Sequence, residues 1–257
     1  MFKKDINYKV EGKGKPLILI HGLSDSLEYW EPLSSILKNK HKIIRYDIRG
    51  HGKSPLGREE ISIDLLVDDL NILLNNLKVD ECIIVGFSMG GLIGLSYAIK
   101  YPEKVSSIIL MSTFARCSSY VENIFLQLRN AVKSSYDDFY ELILPMVLCP
   151  NIIEENKKEL EMIKDYASNN VNTVAIEKAI NAMLGFDIIY DLDQFDIPTL
   201  ILCGKYDTLV PPSLQEETHK KIINSEMIVL DNLKHNLLVG KNISKISDII
   251  VDFILKQ

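Results

Sequence analysis

The chain has 257 residues, of which 47% are apolar and 25% charged, and its net charge is −6. That length suits one α/β domain with an insertion and ample room for a large core. The acidic balance and the absence of a polybasic run argue against nucleic acid as a partner, and no apolar run is long enough to span a bilayer.

The first residues, Met1-Phe2-Lys3-Lys4-Asp5, carry two lysines but lead into no apolar signal segment, so the expected location is cytoplasmic. Cys82, Cys117, Cys149 and Cys203 are scattered, with no CxxC pair and no metal-ligand spacing. We therefore expect reduced thiols, no disulfide framework, and neither a metal nor another cofactor. The expected partner is a small-molecule substrate.

Ile6 to Val10 alternates polar and apolar residues, as an edge strand does. Leu17-Ile18-Leu19-Ile20 is continuously apolar, the pattern of a parallel strand covered on both faces, and it ends in His21-Gly22-Leu23. A helix over 27–38 and a strand over 42–46 follow, then the loop Asp47-Ile48-Arg49-Gly50-His51-Gly52-Lys53-Ser54. The clearest helix spans 62–77, with Ile63, Leu66, Val67, Leu70, Leu73, Leu74 and Leu77 on one face and Ser62 as its N-cap. Strands at 82–85 and 105–111 continue the alternation that predicts a mostly parallel, doubly covered sheet.

The rhythm stops after Thr113. Helical patterns near 120–132, 137–148, 154–167 and 174–184 fill an interval without a convincing strand. Alternation resumes with a strand at 200–203, a helix over 212–223, a strand at 227–230 and an amphipathic helix bearing Ile246, Ile249, Ile250, Phe253 and Ile254 on its inner face. Residues 1–113 and 196–257 thus read as one α/β core, and 114–195 as a helical insertion.

Between strand and helix stands Gly86-Phe87-Ser88-Met89-Gly90-Gly91. A serine in a tight strand-to-helix turn needs very small neighbours two residues away, and the helix N-terminus offers unpaired N–H groups to a developing oxyanion. Taken alone, the pattern also fits a glycine-rich helix start with an idle serine. Serine is a poor nucleophile at neutral pH and needs a base, which in turn needs an orienting acid. In an open α/β sheet these belong on loops after the carboxyl ends of strands. Asp207, in Gly204-Lys205-Tyr206-Asp207, and His235, in Lys234-His235-Asn236, both qualify. Either also reads as an ordinary loop residue. The rival histidines His41 and His219 lie in helix or helix-end settings, and Asp191, Asp193 and Asp231 fit the pattern less well.

In these four segments (His21-Gly22, Asp47-x-Arg49-Gly50-His51-Gly52-x-Ser54, Gly86-x-Ser88-Met89-Gly90-Gly91 and the Asp207 and His235 loops) the sequence resembles the α/β-hydrolase fold. It is similar to the capped branch holding carboxylesterases, enol-lactone hydrolases, carbon–carbon bond hydrolases and cofactor-free haloperoxidases. The resemblance implies a Ser88–His235–Asp207 triad, an oxyanion hole made by the backbone N–H groups of Leu23 and Met89, structural roles for His21 and His51, and a cap at 114–195. The implied activity is hydrolysis of an ester, lactone or thioester of a small to medium, largely apolar acyl group through an acyl-enzyme. A carbon–carbon hydrolase or lyase for acidic dienols and a non-catalytic ligand-binding member are the alternatives. Dehalogenases and epoxide hydrolases carry aspartate where this chain has Ser88. Arg116, where core passes into insertion, reads either as a partner for a substrate carboxylate or as an exposed junction arginine. Phe114 and Leu209 are the first candidates for an apolar acyl pocket, with Trp30, Phe125, Met146 and Met183 behind them.

Overall fold

The computed structural model describes residues 6–257; residues 1–5, on which the expectation about the start of the chain rests, lie outside the described residues. The strands β1 (Tyr8–Glu11), β2 (Pro16–Ile20), β3 (Lys42–Tyr46), β4 (Cys82–Phe87), β5 (Val105–Met111), β6 (Thr199–Gly204) and β7 (Ser225–Leu230) form one sheet in the order β1-β3-β2-β4-β5-β6-β7. β1 is an antiparallel edge on β3, and the other pairings are parallel.

Parallel neighbours need crossovers, and helices supply them. They are α1 (Glu31–Leu37), α2 (Ile63–Asn76) and α3 (Met89–Lys100), then α4 (Ser119–Ser134), α5 (Tyr136–Val147), α6 (Pro150–Glu155), α7 (Lys157–Asn170) and α8 (Thr173–Met183), and finally α9 (Pro212–Lys221) and α10 (Asn242–Leu255). The continuous apolar runs serve two cores at once. On β2, Ile18 and Ile20 face the layer with Leu66, Leu70 and Leu92 from α2 and α3, while Leu17 and Leu19 face the layer with Leu33, Ile246 and Phe253 from α1 and α10. Each of these side chains is buried, and burying one contributes roughly 1.5–3 kcal/mol. The sheet is therefore anchored from both sides, and its carboxyl-end loops are held on a rigid base.

Helix α2 begins where its cap predicts: the Ser62 hydroxyl accepts the Leu65 N–H at 3.1 Å. Two expected helices are broken. The segment over 27–38 starts as a 3-10 turn, Leu27–Trp30, and becomes α-helical only at Glu31, with Pro32 in the first turn, where its missing N–H costs no helical bond. The segment over 154–167 is divided between α6 and α7 at Asn156, whose side-chain amide donates to the Ile152 carbonyl at 2.8 Å. Such a local bond competes with helix continuation. Between β5 and β6 the described chain is helical from α4 to α8, apart from turns and an isolated bridge between Arg116 and Asp187. Helix α4 packs on both α5 and α8. Among the described residues no helix is long and apolar enough to cross a membrane.

Candidate active site

Ser88 stands between β4 and α3 at φ 51° and ψ −118°, a conformation that non-glycine residues seldom adopt. Its surroundings impose it. The Ser88 N–H donates to the Met111 carbonyl at 2.9 Å, and the Ser88 carbonyl accepts the Thr113 hydroxyl at 2.8 Å. A Cβ on Gly86 would lie 2.5 Å from the Gly90 carbonyl oxygen, and one on Gly90 would lie 2.1 Å from that of Ile20. Only glycine lets β4, α3 and the end of β2 meet this closely. Met89 is the first residue of α3, so its N–H has no acceptor within the helix and carries the positive end of the helix dipole.

Asp207 and His235 come together from the ends of β6 and β7. The His235 Nδ1 lies 2.8 Å from Asp207 Oδ2, with both side chains buried. The other carboxylate oxygen accepts the backbone N–H groups of Leu209 at 3.0 Å and Val210 at 2.9 Å. With two N–H groups and the imidazole as donors, Asp207 is held as an acceptor, which fixes the proton on His235 Nδ1 and leaves Nε2 as the basic nitrogen. The His235 carbonyl accepts the Ser112 hydroxyl at 2.7 Å, which ties the histidine to the end of β5. The same loop is tied to the end of α5: Asn236 N–H donates to the Val147 carbonyl at 3.0 Å, and the Lys234 ammonium donates to the Pro145 carbonyl.

The other sequence motifs build the floor around this pair. His21 Nε2 accepts the Ile48 N–H at 2.9 Å, and its Nδ1 lies 2.8 Å from the Gly22 carbonyl; burial and the nearby His51 push its pKa down to about 3, so it stays neutral. Asp47 accepts from Asn7 Nδ2 and Leu27 N–H, each at 2.7 Å, and from Lys53 N–H at 2.8 Å. Arg49 is buried against Asp69, with contacts of 2.7 and 2.6 Å. These are structural duties. Asp47 and His51 do not form a metal centre, and among the described residues no group of three His, Cys, Asp or Glu side chains is placed to hold an ion. Burial pushes the Cys82 and Cys203 thiols up to about 12, which keeps both inert.

A cavity of about 780 Å³ opens over Ser88 and His235. Leu23 and Leu209 line it, as do Phe125 and Met183, whereas Phe114, Trp30 and Met146 do not. Phe114 lies one layer back, buried with its ring centroid 6.1 Å from that of Phe125. Arg116 is also outside: its guanidinium pairs with Glu217 of α9, so it is the junction arginine and holds no group in the cavity. The roof comes from α5, through Tyr136, Phe139, Tyr140 and Ile143, and from α7, through Met162 and Tyr166. Sequence reasoning missed these positions, although the run Phe139-Tyr140 and Ile143-Leu144 marks an apolar face on α5. It also missed Asp25, which lines the cavity beside Ser88. Burial raises the Asp25 carboxyl to about 7, against the opposing pull of His235.

A family model described as the alpha/beta hydrolase fold matches residues 15–241. The chain belongs to that family. Among curated relatives of this hydrolase-fold protein, "Putative carbamate hydrolase RutD" from Azorhizobium caulinodans is 27% identical over 216 residues, covering 82% of this chain and 80% of the relative. Among solved structures, MGS-M2, an alpha/beta hydrolase enzyme from a Medee basin deep-sea metagenome library, superposes with a TM-score of 0.91 at 22% identity, covering 97% of this chain and 94% of that one. The enol-lactonase from Burkholderia xenovorans LB400 gives a TM-score of 0.87 at 22% identity, with 97% and 96% covered. At these identities the structural likeness is one of fold.

Proposed function

We propose that this hydrolase-fold protein is a serine hydrolase that cleaves an ester, lactone or thioester through an acyl-enzyme, with 114–195 acting as its cap. The observation that carries this reading is the buried Asp207–His235 pair, whose histidine lines the same cavity as a strained Ser88 at a helix N-terminus. His235 takes the Ser88 proton through Nε2 as the oxygen attacks the carbonyl. Asp207 holds the imidazole and stabilises its charged form. The oxyanion is received by the N–H groups of Met89 and Leu23, and His235 then returns the proton to the leaving group. Water hydrolyses the acyl-enzyme by the same route.

The acyl group is largely apolar, because α5, α7 and α8 supply aromatic and aliphatic walls. The carbamate named for the curated relatives belongs to the same chemistry, since its carbonyl is open to the same attack. Arg116 is spent on Glu217, which removes the residue that an acidic dienol reading relied on. The test is hydrolysis of p-nitrophenyl esters of graded chain length by the wild type and by Ser88→Ala. Loss of Ser88 should lower kcat by about 10⁶-fold. Turnover that survives the substitution would refute the assignment of the nucleophile.

A further inference from the structure

The cavity holds a charge that ester hydrolysis does not require. Asp25 follows the turn after β2, its N–H on the Gly22 carbonyl at 3.4 Å, and its side chain faces the space shared by Ser88 and His235. Among the described residues nothing donates a hydrogen bond or an ion pair to its carboxyl. Enclosed carboxyl groups are ordinarily paired, because an uncompensated charge there is costly. The groups around it are His235 on the loop after β7, Tyr29 in the 3-10 turn and Tyr136 on α5, and burial first, with the Asp25 carboxyl second, raises the pKa of both tyrosines. None of these is a permanent cation. Further along the wall stand Asp47, Glu159 and Glu28, the last paired at 3.4 Å with Arg45 behind the wall, and among the described lining residues Lys53 is the one lysine or arginine, with an exposed side chain. His51, also on that wall, is kept neutral by burial, and the other titratable lining groups, Tyr140 and Tyr166, are phenols. Carboxyl groups therefore outnumber cations along the cavity wall, and two aromatic side chains that line it, Phe87 and Tyr136, lie close to Asp25. A carboxylate flanked by aromatic faces is the environment that holds an alkylated ammonium ion.

We propose that Asp25 is a cation subsite, so that the preferred acyl substrates carry a quaternary or protonated ammonium group. The proposal rests on the serine hydrolase reading for its substrate but not for its ligand. A cation beside Asp25 compensates a carboxylate that no side chain among the described residues pairs. A neutral substrate gains nothing there, and a carboxylate is repelled.

The experiment compares three p-nitrophenyl esters of matched shape: 4-(trimethylammonio)butanoate, neutral 5,5-dimethylhexanoate and the anionic monoester of glutarate. The readout is the ratio of kcat/KM values, in which any general loss of activity cancels. The wild type should favour the cationic over the neutral ester by roughly 10- to 100-fold, with the anionic ester poorest. Asp25→Asn should bring the ratio close to one, and Asp25→Glu should restore part of it. Because the trimethylammonium charge does not titrate, the wild-type ratio should also rise with pH as Asp25 ionises near pH 7. A ratio near one in the wild type, or one unchanged in Asp25→Asn, overturns the proposal. Failure to turn over any ester overturns the hydrolase reading instead, and the subsite is then decided by calorimetry. Butyltrimethylammonium should bind the wild type and Ser88→Ala but bind Asp25→Asn at least 10-fold more weakly; equal binding or none throughout overturns the subsite.

Discussion

Replacing Asp207 with asparagine alters the side chain by a single atom and reverses what it tells His235. The carboxylate has two tasks, one oxygen on the Leu209 and Val210 N–H groups and the other on His235 Nδ1. An asparagine oxygen serves only one of them. If it turns toward His235, its amide group faces two buried backbone N–H groups, and leaving both unmet costs about 2–6 kcal/mol in all. The favoured rotamer keeps those two bonds and presents an N–H to Nδ1. His235 then becomes the other tautomer, with its proton on Nε2 and no lone pair for the Ser88 hydroxyl. The expected loss is about 10⁴ in kcat, or about 5 kcal/mol of barrier, with KM little changed. The assay is initial-rate hydrolysis of the best neutral p-nitrophenyl ester, with the melting temperature measured alongside to exclude unfolding. A fall of less than about tenfold in a folded variant would refute both the tautomer argument and the role given to Asp207.

Two further predictions concern the scaffold. A Cβ on Gly204 would lie 1.9 Å from the Lys234 carbonyl oxygen, a backbone atom that cannot turn aside, so Gly204→Ala should cost about 3 kcal/mol or more in urea unfolding; an unchanged midpoint would show that the loops after β6 and β7 are not in that contact. His21 is buried and its pKa is lowered to about 3, whereas in the unfolded chain it titrates near 6.5. Below that value the unfolded state binds a proton that the folded state refuses. The raised Asp25 carboxyl acts with the opposite sign over the same range, so the test uses Asp25→Asn: there stability is complete above about pH 6.5 and falls by about 1.4 kcal/mol per pH unit as the solution is acidified toward pH 5, with His51 adding to the slope. Identical unfolding free energies at pH 7 and pH 5 would contradict this.

Much of the core was open to reading because burial on both faces leaves an unmistakable mark: Leu17 to Ile20 cannot alternate when α2 and α1 cover opposite sides of the same strand. The positions of Ser88, Asp207 and His235 at strand ends were also readable, since each follows an apolar run within a few residues. What escaped depends on distant packing. Asp25 looks like any turn aspartate until Tyr136 and its neighbours on α5 close over it. Arg116 invited a functional reading because nothing near it in sequence balances its charge; its partner, Glu217, is 101 residues further on. The break at Asn156 turns on which of two acceptable backbone paths a side-chain amide stabilises, a choice that periodicity does not register.

The bonds from Lys234 and Asn236 to the last turn of α5 give the roof and His235 a common mooring. Any displacement of that turn large enough to admit a bulky molecule draws on the segment that carries His235, and slackens its alignment with Asp207. Under the proposed mechanism Ser88 would lose its base during such a displacement and regain it on return. Water entering in that interval would meet no aligned base, so timing as well as shape would protect an acyl group held on Ser88.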